Sequence, residues 1–179
     1  QGRMEALRGD ILMNATGSSP FHPPEFDFAD PHVHDSNEIL EIETLPRVMA
    51  VVGAGVIGCE YASTFAALGT EVHLIDGRET LLPFLDAEIS RVLATAMVAN
   101  GVHLHLGARV ESCRAGVGGG LLLQLTSGES ALACDDVLVC SGRTSNTAEL
   151  NLASAGVTVG ARGLIVVDED YRTSTPHIY

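Results

Sequence analysis

Three glycines and an aspartate form the pattern in this sequence that most clearly predicts chemistry. Gly53, Gly55 and Gly58 have the G-x-G-x-x-G spacing, and Asp76 follows them by about 20 residues. In such a loop the first glycine permits a tight turn, the second lets the backbone approach a pyrophosphate, and the third lets a helix pack closely on a strand. A carboxylate at that distance accepts hydrogen bonds from ribose hydroxyls. The pattern therefore predicts a dinucleotide-binding site.

The elements needed to position these residues are also evident in the sequence. Residues 47–52 form a short apolar, β-branched run that is typical of a buried parallel strand. A helix that begins in the glycine loop would direct unpaired N–H groups and the positive end of its dipole at phosphates. The chain then returns as a strand over residues 71–75, which ends at Asp76. Because strand, loop, helix, strand and acid occur in this order, we interpret the glycines as a nucleotide loop and not as a simple turn.

The rest of the chain predicts more of the same sheet and an inserted β-meander. Asp86 is expected to cap a second helix that ends near Asn100, before Gly101. Short runs separated by turn residues predict the antiparallel meander, with a flexible hairpin tip at residues 116–120. The further predicted strands are residues 102–106, 109–115, 121–126, 131–134, 136–140 and 164–168. The predicted fold class is α/β, a Rossmann-like parallel sheet with a β-meander insert.

The first part of the chain predicts little regular structure. Residues 11–15 are expected to form a strand, and the segment that follows, up to Ser36, is polar and rich in proline and histidine. Asp35 or Ser36 is expected to cap a short helix through residues 39–40.

Composition excludes some partners. The 179 residues suffice for one good-sized domain, with a net charge of −13 and no lysine. This charge argues against non-specific binding to nucleic acid and to an anionic membrane surface. No signal peptide or membrane-spanning stretch is evident. The cysteines lack C-x-x-C or other ligand spacing, which predicts reduced thiols and a cytoplasmic protein; they are Cys59, Cys113, Cys134 and Cys140.

Several motifs together resemble a known family. They are ATGSSP at residues 15–20, GAGVIGCE at residues 53–60, SGRTSN at residues 141–146 and TSTPHIY at residues 173–179. The chain resembles the NAD(P)-binding domain of the two-dinucleotide flavoprotein reductases, the group that contains dihydrolipoamide dehydrogenase and glutathione reductase. The resemblance implies the FAD/NAD(P)-binding fold and an excised central domain. Residues 1–45 would then connect from a missing FAD domain, residues 46–170 would bind NAD(P), and residues 171–179 would return towards the FAD domain.

Within that family the chain is most similar to the soluble, FAD-dependent pyridine nucleotide transhydrogenases. The residues that carry this similarity are 26–31, 35–36, 58–63, 81–86 and 142–144. The resemblance implies hydride transfer between NADPH and NAD through FAD in a full-length, homo-oligomeric parent with a dimerisation domain, and an isolated piece that binds nucleotide without turnover. Dihydrolipoamide dehydrogenase stays open as an alternative, because its redox cysteine pair would precede Gln1. A stand-alone NADH-sensing module is the alternative of another class.

Spacing and resemblance together give the candidate site, and no catalytic residue is expected in it because the flavin would carry the chemistry. Asp76 favours NAD by accepting ribose hydroxyls, whereas Arg78 is placed to receive the 2′-phosphate of NADP, unless it is an ordinary loop arginine. Glu60 is expected in the first helical turn after the glycines. By resemblance it reaches the nicotinamide side; otherwise it is a carboxylate that the positive end of the helix dipole stabilises. The predicted nucleotide-binding residues are Thr16, Gly17, Gly53, Ala54, Gly55, Val56, Ile57, Gly58, Glu60, Asp76, Gly77, Arg78, Val110, Ser141, Gly142 and Arg143.

Two further features, a histidine pair and a cysteine, are not expected to carry chemistry. His103 and His105 share one face of a strand, but no third ligand is evident in the sequence, so no metal site is predicted. Cys59 adjoins a helix N-terminus, which can lower the pKa of a thiol. We expect it instead to be a small residue packed behind the glycine loop.

Overall fold

A computed structural model describes residues 5–116, 119–128 and 131–179. The chain divides into two compact units: residues 20–142 form the larger one, and residues 5–19 with 143–179 form the smaller one. The strands are β1 (Ser18–Pro20), β2 (Val33–Asp35), β3 (Val48–Val52), β4 (Glu71–Asp76), β5 (Val102–Leu106), β6 (Val110–Ala115), β7 (Leu121–Leu125), β8 (Leu132–Cys134), β9 (Asp136–Val139) and β10 (Arg143–Ser145). The α-helices are α1 (Val56–Ala67) and α2 (Ala87–Ala99), and short 3-10 helices span Glu38–Glu41, Ala148–Leu150, Leu152–Ala155 and Ala161–Gly163.

The larger unit is built on a five-stranded parallel sheet with the order β2-β9-β3-β4-β5. The central strand β3 is buried on both faces, with Met49, Ala50 and Val51 fully inaccessible to solvent. On one face α1 and α2 pack against the sheet, and their core includes Phe65 and Met97. On the other face lies the antiparallel sheet β6-β7-β8, whose β7 leucines join a second core. The Rossmann-like sheet with a meander insert is therefore confirmed.

Capping residues place both ends of α2 as the sequence predicts. Asp86 Oδ1 accepts a hydrogen bond from the Glu88 N–H at 2.8 Å and begins α2. The helix ends at Asn100, and Gly101 follows with a φ of +91°. Helix α1 begins after Gly55, so the predicted strand–loop–helix–strand unit is confirmed. In the described part of the chain, no helix is long and apolar enough to cross a membrane.

Two predicted strands are wrong. Residues 11–15 contain a single bridge, from Leu12 to Ile178, and residues 164–168 contain one, from Ile165 to Val159. Left-handed backbone at Arg162 and Gly163, with φ of +54° and +73°, turns the chain just before the second run. Leu164 is 59% exposed. An apolar run without a neighbouring sheet to bury it does not form a ladder, whatever its β propensity.

The proline- and histidine-rich segment holds structure that the sequence did not predict. Its β2 pairs in parallel with β9 and adds a strand to the main sheet, with Val33 opposite Val137. Asp35 Oδ1 then accepts hydrogen bonds from the N–H groups of Asn37 and Glu38, at 2.8 and 3.0 Å. The short helix is of the 3-10 type and its N-cap is Asn37, so the predicted cap at Asp35 or Ser36 is wrong, although Asp35 binds the N–H groups at the start of this helix. The predicted hairpin tip at residues 116–120 lies partly outside the described residues.

Candidate dinucleotide-binding site

The three glycines of the loop meet three different packing conditions. Gly53 has a φ of +107°, and a Cβ there would lie 2.5 Å from the Cys140 carbonyl oxygen. A Cβ on Gly58 would lie 1.8 Å from the Gly53 carbonyl oxygen, so α1 can pack on the loop only if this residue is glycine. A Cβ on Gly55 would meet no atom of the described residues within 4 Å. Gly53 and Gly58 are thus required by the fold, whereas Gly55 borders open space.

The N-terminus of α1 is free to receive a ligand. Gly55 is the N-cap, and among the described residues no side chain caps the helix. The N–H groups of a first turn have no partner within the helix, so they and the helix dipole favour a bound anion such as a phosphate. Val56 at the start of the helix is 48% exposed. Glu60 is exposed, and because α1 begins at Val56 it lies beyond the first turn, in which sequence analysis placed it.

Asp76, at the end of β4, is the most connected polar residue of the site. Its Oδ2 accepts the Ala54 N–H at 2.7 Å and an Arg78 Nη2–H at 2.6 Å. Its Oδ1 accepts the Arg78 backbone N–H at 2.8 Å and the Nε–H at 2.9 Å. The predicted ribose acceptor and the predicted phosphate contact are therefore bonded to each other. A ribose hydroxyl can replace the guanidinium only if the Arg78 side chain moves.

The charge state of Asp76 follows from two opposing effects. Burial raises the pKa of its carboxyl group, while hydrogen bonds from the Arg78 side chain and from the Arg78 and Ala54 N–H groups lower it. The hydrogen bonds outweigh burial, and the pKa lies below its usual value of 3.8. Asp76 is therefore ionised at neutral pH.

Arg109 is a second cation at this end of the site, and sequence analysis missed it. A Cβ added to Gly77 would lie 2.5 Å from Arg109 Nε, so the Arg109 side chain packs directly over the Gly77 backbone. The Gly107 N–H donates to the Arg78 carbonyl at 3.0 Å and holds the two segments together. The available signal was positional: Arg109 follows the carboxyl end of β5, the strand beside β4.

The end of β9 completes this edge of the sheet. The Cys140 N–H donates to the Val52 carbonyl at 2.7 Å, which places Ser141 and Gly142 beside the glycine loop. Gly142 has a φ of +105°. Val110, also a predicted nucleotide contact, begins β6 and packs, partly buried, against the second core.

Three predicted site residues belong to the smaller unit and are bonded within it. Arg143 donates from Nε to Ser18 Oγ at 2.8 Å and from Nη2 to the Ser18 carbonyl at 2.5 Å. The Asn146 side chain donates to the Thr16 carbonyl at 3.1 Å, and its backbone N–H donates to the Gly17 carbonyl at 3.0 Å. These hydrogen bonds join residues 16–18 to Arg143 and Asn146 within the smaller unit.

Comparison with known proteins decides the family. The sequence pattern of the pyridine nucleotide-disulphide oxidoreductases matches residues 1–179. The chain belongs to that family. The predicted coenzymes, NAD and NADP with FAD, are confirmed at the level of the family. The soluble pyridine nucleotide transhydrogenase of Pseudomonas putida is 46% identical over 178 residues, which are 99% of this chain and 38% of that protein. The chain thus spans well under half the length of this relative.

Solved structures of pyridine nucleotide-disulphide oxidoreductases and their relatives share the fold. The HOCl-induced flavoprotein disulfide reductase RclA from Escherichia coli has a TM-score of 0.85 and 32% identity over 97% of this chain and 39% of its own. The water-forming NADH oxidase from Lactobacillus brevis, bound to NADH, has a TM-score of 0.79 and 28% identity over 95% of this chain and 38% of its own. An engineered, NADPH-bound form of that oxidase has a TM-score of 0.79 and 26% identity, over 95% and 38%.

The cysteine thiols of this chain could be relevant to the disulphide chemistry after which the family is named. The cysteines of this chain are free, and Cys59 is buried behind the glycine loop as predicted. Burial raises the pKa of the Cys59 thiol to about 11, with the Asp76 carboxylate adding to the effect. The helix N-terminus does not make it a thiolate. Burial likewise raises the pKa of Cys134 and of Cys140 to about 12. These thiols are packing residues of the two cores.

Proposed function

We propose that this chain is the pyridine nucleotide-binding portion of a flavoprotein that transfers hydride between NADPH and NAD through FAD. The support is the 46% identity to a soluble transhydrogenase over nearly the whole chain. The glycine loop and the free N-terminus of α1 support binding of the pyrophosphate. An enzyme of this kind must accept both coenzymes at useful affinity, and the end of β4 offers a means to do so.

The Asp76–Arg78 pair is the observation that carries this proposal. When NADH binds, the Asp76 carboxylate accepts the ribose hydroxyls while the Arg78 side chain moves towards solvent. When NADPH binds, Arg78 receives the 2′-phosphate, with Arg109 as a second cation nearby. The engineered NADPH-bound oxidase supports this division, because its changes include an aspartate replaced by alanine and the next residue, an alanine, replaced by arginine.

The other residues bind and orient the nucleotide. We assign binding of the pyrophosphate to the backbone of Gly55, Val56 and Ile57. Ser141 and Gly142 would lie close to the nicotinamide half, and Glu60 would contact the nicotinamide side. A flavin supplies the redox chemistry of such enzymes, and the protein supplies binding, orientation and electrostatics. The chain alone would therefore bind nucleotide without turnover, and the FAD and dimerisation domains of a homo-oligomeric, cytoplasmic parent would complete the enzyme.

A disulfide reductase is the second candidate, dihydrolipoamide dehydrogenase included. It is favoured by the structural similarity to RclA, which is described as a flavoprotein disulfide reductase. The pKa values of the four thiols of this chain are all raised, so the thiols are protonated at neutral pH, and that chemistry would need cysteines from elsewhere in the parent protein. The two candidates differ in their coenzyme requirement, because only a transhydrogenase must bind both NADH and NADPH.

The experiment that tests the proposal is a fluorescence titration of the purified chain with NADH and with NADPH at low and moderate salt. The proposal predicts comparable dissociation constants for the two, with stronger salt dependence for NADPH because its extra phosphate is held by exposed cations. Binding of NADH alone would contradict it and favour the disulfide reductase. Hydride transfer from NADPH to an NAD analogue by the chain without its FAD domain would contradict the expected inactivity.

A further inference from the structure

A cluster of potential metal ligands lies on the outer part of the parallel sheet. Strand β5 is the edge strand, and its register with β4 places His73 directly opposite His103. Glu71 precedes His73 by two residues and so points to the same face. One potential ligand atom from each of Glu71, His73 and His103 lies within 4.8 Å of the others. We refer to these three residues as the β4–β5 cluster.

The geometry within the cluster suits a tetrahedral ion. His73 Nε2 lies 3.4 Å from Glu71 Oε1. Two ligand atoms that each bind Zn²⁺ at its usual distance, in a tetrahedral arrangement, are about 3.3 Å apart. The His103 ring stacks on the His73 ring, with centroids 4.8 Å apart. Because His103 and Glu71 are exposed, their side chains can adjust by the small rotation that would bring a third ligand atom to the ion.

His105 provides the supporting contact that such sites use. Its Nε2 lies 3.0 Å from His73 Nδ1, and the His73 side chain is largely buried. When His73 donates its Nδ1 proton to His105, its Nε2 lone pair is left facing Glu71 and is free to bind a metal. A hydrogen bond of this kind to the second nitrogen fixes the tautomer and ring orientation of many metal-binding histidines.

We propose that Glu71, His73 and His103 bind a divalent cation of the Zn²⁺ class, with His105 as a positioning residue. Two imidazoles and one carboxylate form a ligand set that suits Zn²⁺ and also Cu²⁺ or Ni²⁺, and that a hard cation such as Mg²⁺ does not prefer. The exposure of Glu71 and His103 leaves a fourth position open to water. The bound ion would join the edge strand β5 to β4.

This site is separate from the proposed nucleotide site. Glu71 and His73 lie in the first half of β4, whereas Asp76 lies at the other end of the same strand, where the proposed nucleotide site is. The side chains at positions 71 and 73 point to one face of the sheet, and the side chain at position 76 points to the other. Replacement of His103 is therefore expected to leave NADH affinity unchanged, and the proposal does not depend on the function assigned to the parent protein.

The test is a Zn²⁺ titration of the chelator-treated chain against a chromophoric chelator, together with the absorption spectrum of bound Co²⁺. We expect one equivalent of Zn²⁺ to bind, with a Co²⁺ spectrum that lacks thiolate-to-metal charge-transfer bands. His103→Ala and Glu71→Gln should abolish this binding, and His177→Ala, which removes an exposed histidine of the smaller unit, should preserve it. Circular dichroism confirms that each variant is folded.

The positioning role of His105 has its own readout. His105→Ala should weaken Zn²⁺ binding by about 10-fold to 100-fold and alter the Co²⁺ ligand-field bands, while His105→Gln, which can still accept a hydrogen bond, should restore much of the affinity. Absence of saturable binding, equal binding by the wild-type chain and His103→Ala, or a Co²⁺ spectrum dominated by thiolate bands would each overturn the proposal.

Discussion

The Asp76 carboxylate and the Arg78 guanidinium form a bidentate ion pair, with nitrogen–oxygen distances of 2.9 and 2.6 Å. The two partners differ in exposure: the Asp76 side chain is 8% exposed and that of Arg78 is 48% exposed. Since Asp76 also accepts the Ala54 N–H, its position is set by the glycine loop. Arg78 is therefore the partner that can move, and its movement would expose a carboxylate for ribose or free a guanidinium for phosphate.

Replacement of Arg78 should separate the two coenzymes. In Arg78→Ala we expect the affinity for NADPH to fall by about tenfold or more, because a charge-assisted contact to the 2′-phosphate is lost. The affinity for NADH should be unchanged or higher, because the Asp76 carboxylate no longer has to release a guanidinium before it binds ribose. Fluorescence titration with each nucleotide measures both effects.

The matched control for this variant is Arg114→Ala, which removes an exposed arginine from the meander strand β6. It should leave both dissociation constants unchanged, and it should not alter their dependence on salt. Equal losses of NADH and NADPH affinity in Arg78→Ala would show that Arg78 acts on the shape of the loop and not on the phosphate.

The same ion pair predicts how stability depends on pH. The pKa of Asp76 is lower in the folded chain than its usual value of 3.8, so the unfolded chain binds the proton more tightly. The stabilisation is complete above that usual value and is lost as the pH falls through the folded pKa. Asp76→Asn should reduce the free energy of unfolding at pH 7 by about 1–2 kcal/mol, since the guanidinium is half-exposed and screened. Urea denaturation at pH 7 and in acid measures it.

The difference between the wild-type chain and Asp76→Asn should shrink as the pH falls below 3.8. Asp10→Asn, a change at an exposed position outside the larger unit, is the control and should leave the whole curve in place. A difference that stays constant from pH 7 into acid would mean that Asp76 stabilises the loop by shape alone, without its charge.

The nucleotide loop and its flanking elements could be predicted because local patterns specify them. The spacing of Gly53, Gly55 and Gly58, the capping residue Asp86 and the apolar run of β3 each require only a few neighbouring residues. The structure gives a separate reason for each: a clash with Cys140 forbids a side chain at Gly53, and a clash with Gly53 forbids one at Gly58.

Contacts that depend on distant parts of the chain could not be predicted in this way. Strand β2 has three residues, and only its pairing with β9, about a hundred positions later, makes it a strand. The packing of Arg109 over Gly77 and the approach of His73 to His103 both arise from the register of β4 and β5. The sequence shows two histidines on β5, but the other two residues of the cluster, Glu71 and His73, lie on β4.

Two buried thiols, Cys59 and Cys134, and the partly buried thiol of Cys140 should resist alkylation. Burial raises the pKa of Cys59 to about 11 and the pKa values of Cys134 and Cys140 to about 12, so these thiols are protonated at pH 8. Iodoacetamide should therefore modify them slowly in the folded chain and quickly in urea, as followed by mass spectrometry of peptides. Rapid modification of folded Cys59 would show that the helix N-terminus activates this thiol after all.

Two alanine substitutions in one loop should separate folding from nucleotide binding. At Gly55 the backbone is in an ordinary extended conformation, with a φ of −79°, and an added Cβ meets no atom within 4 Å. Gly55→Ala should cost about 1 kcal/mol or less at this cap position, yet weaken binding of NADH and NADPH together, because the methyl group occupies the space proposed for the pyrophosphate.

Gly58→Ala is the counterpart that disturbs the fold itself. Its Cβ would approach the Gly53 carbonyl oxygen to 1.8 Å, so α1 must move away from the loop, at a cost of about 3 kcal/mol or more. Urea denaturation measures the stability of both variants, and titration with each nucleotide measures binding. If Gly55→Ala binds both nucleotides as tightly as the wild-type chain does, the pyrophosphate does not lie against Gly55, and the site must be sought elsewhere along this edge of the sheet.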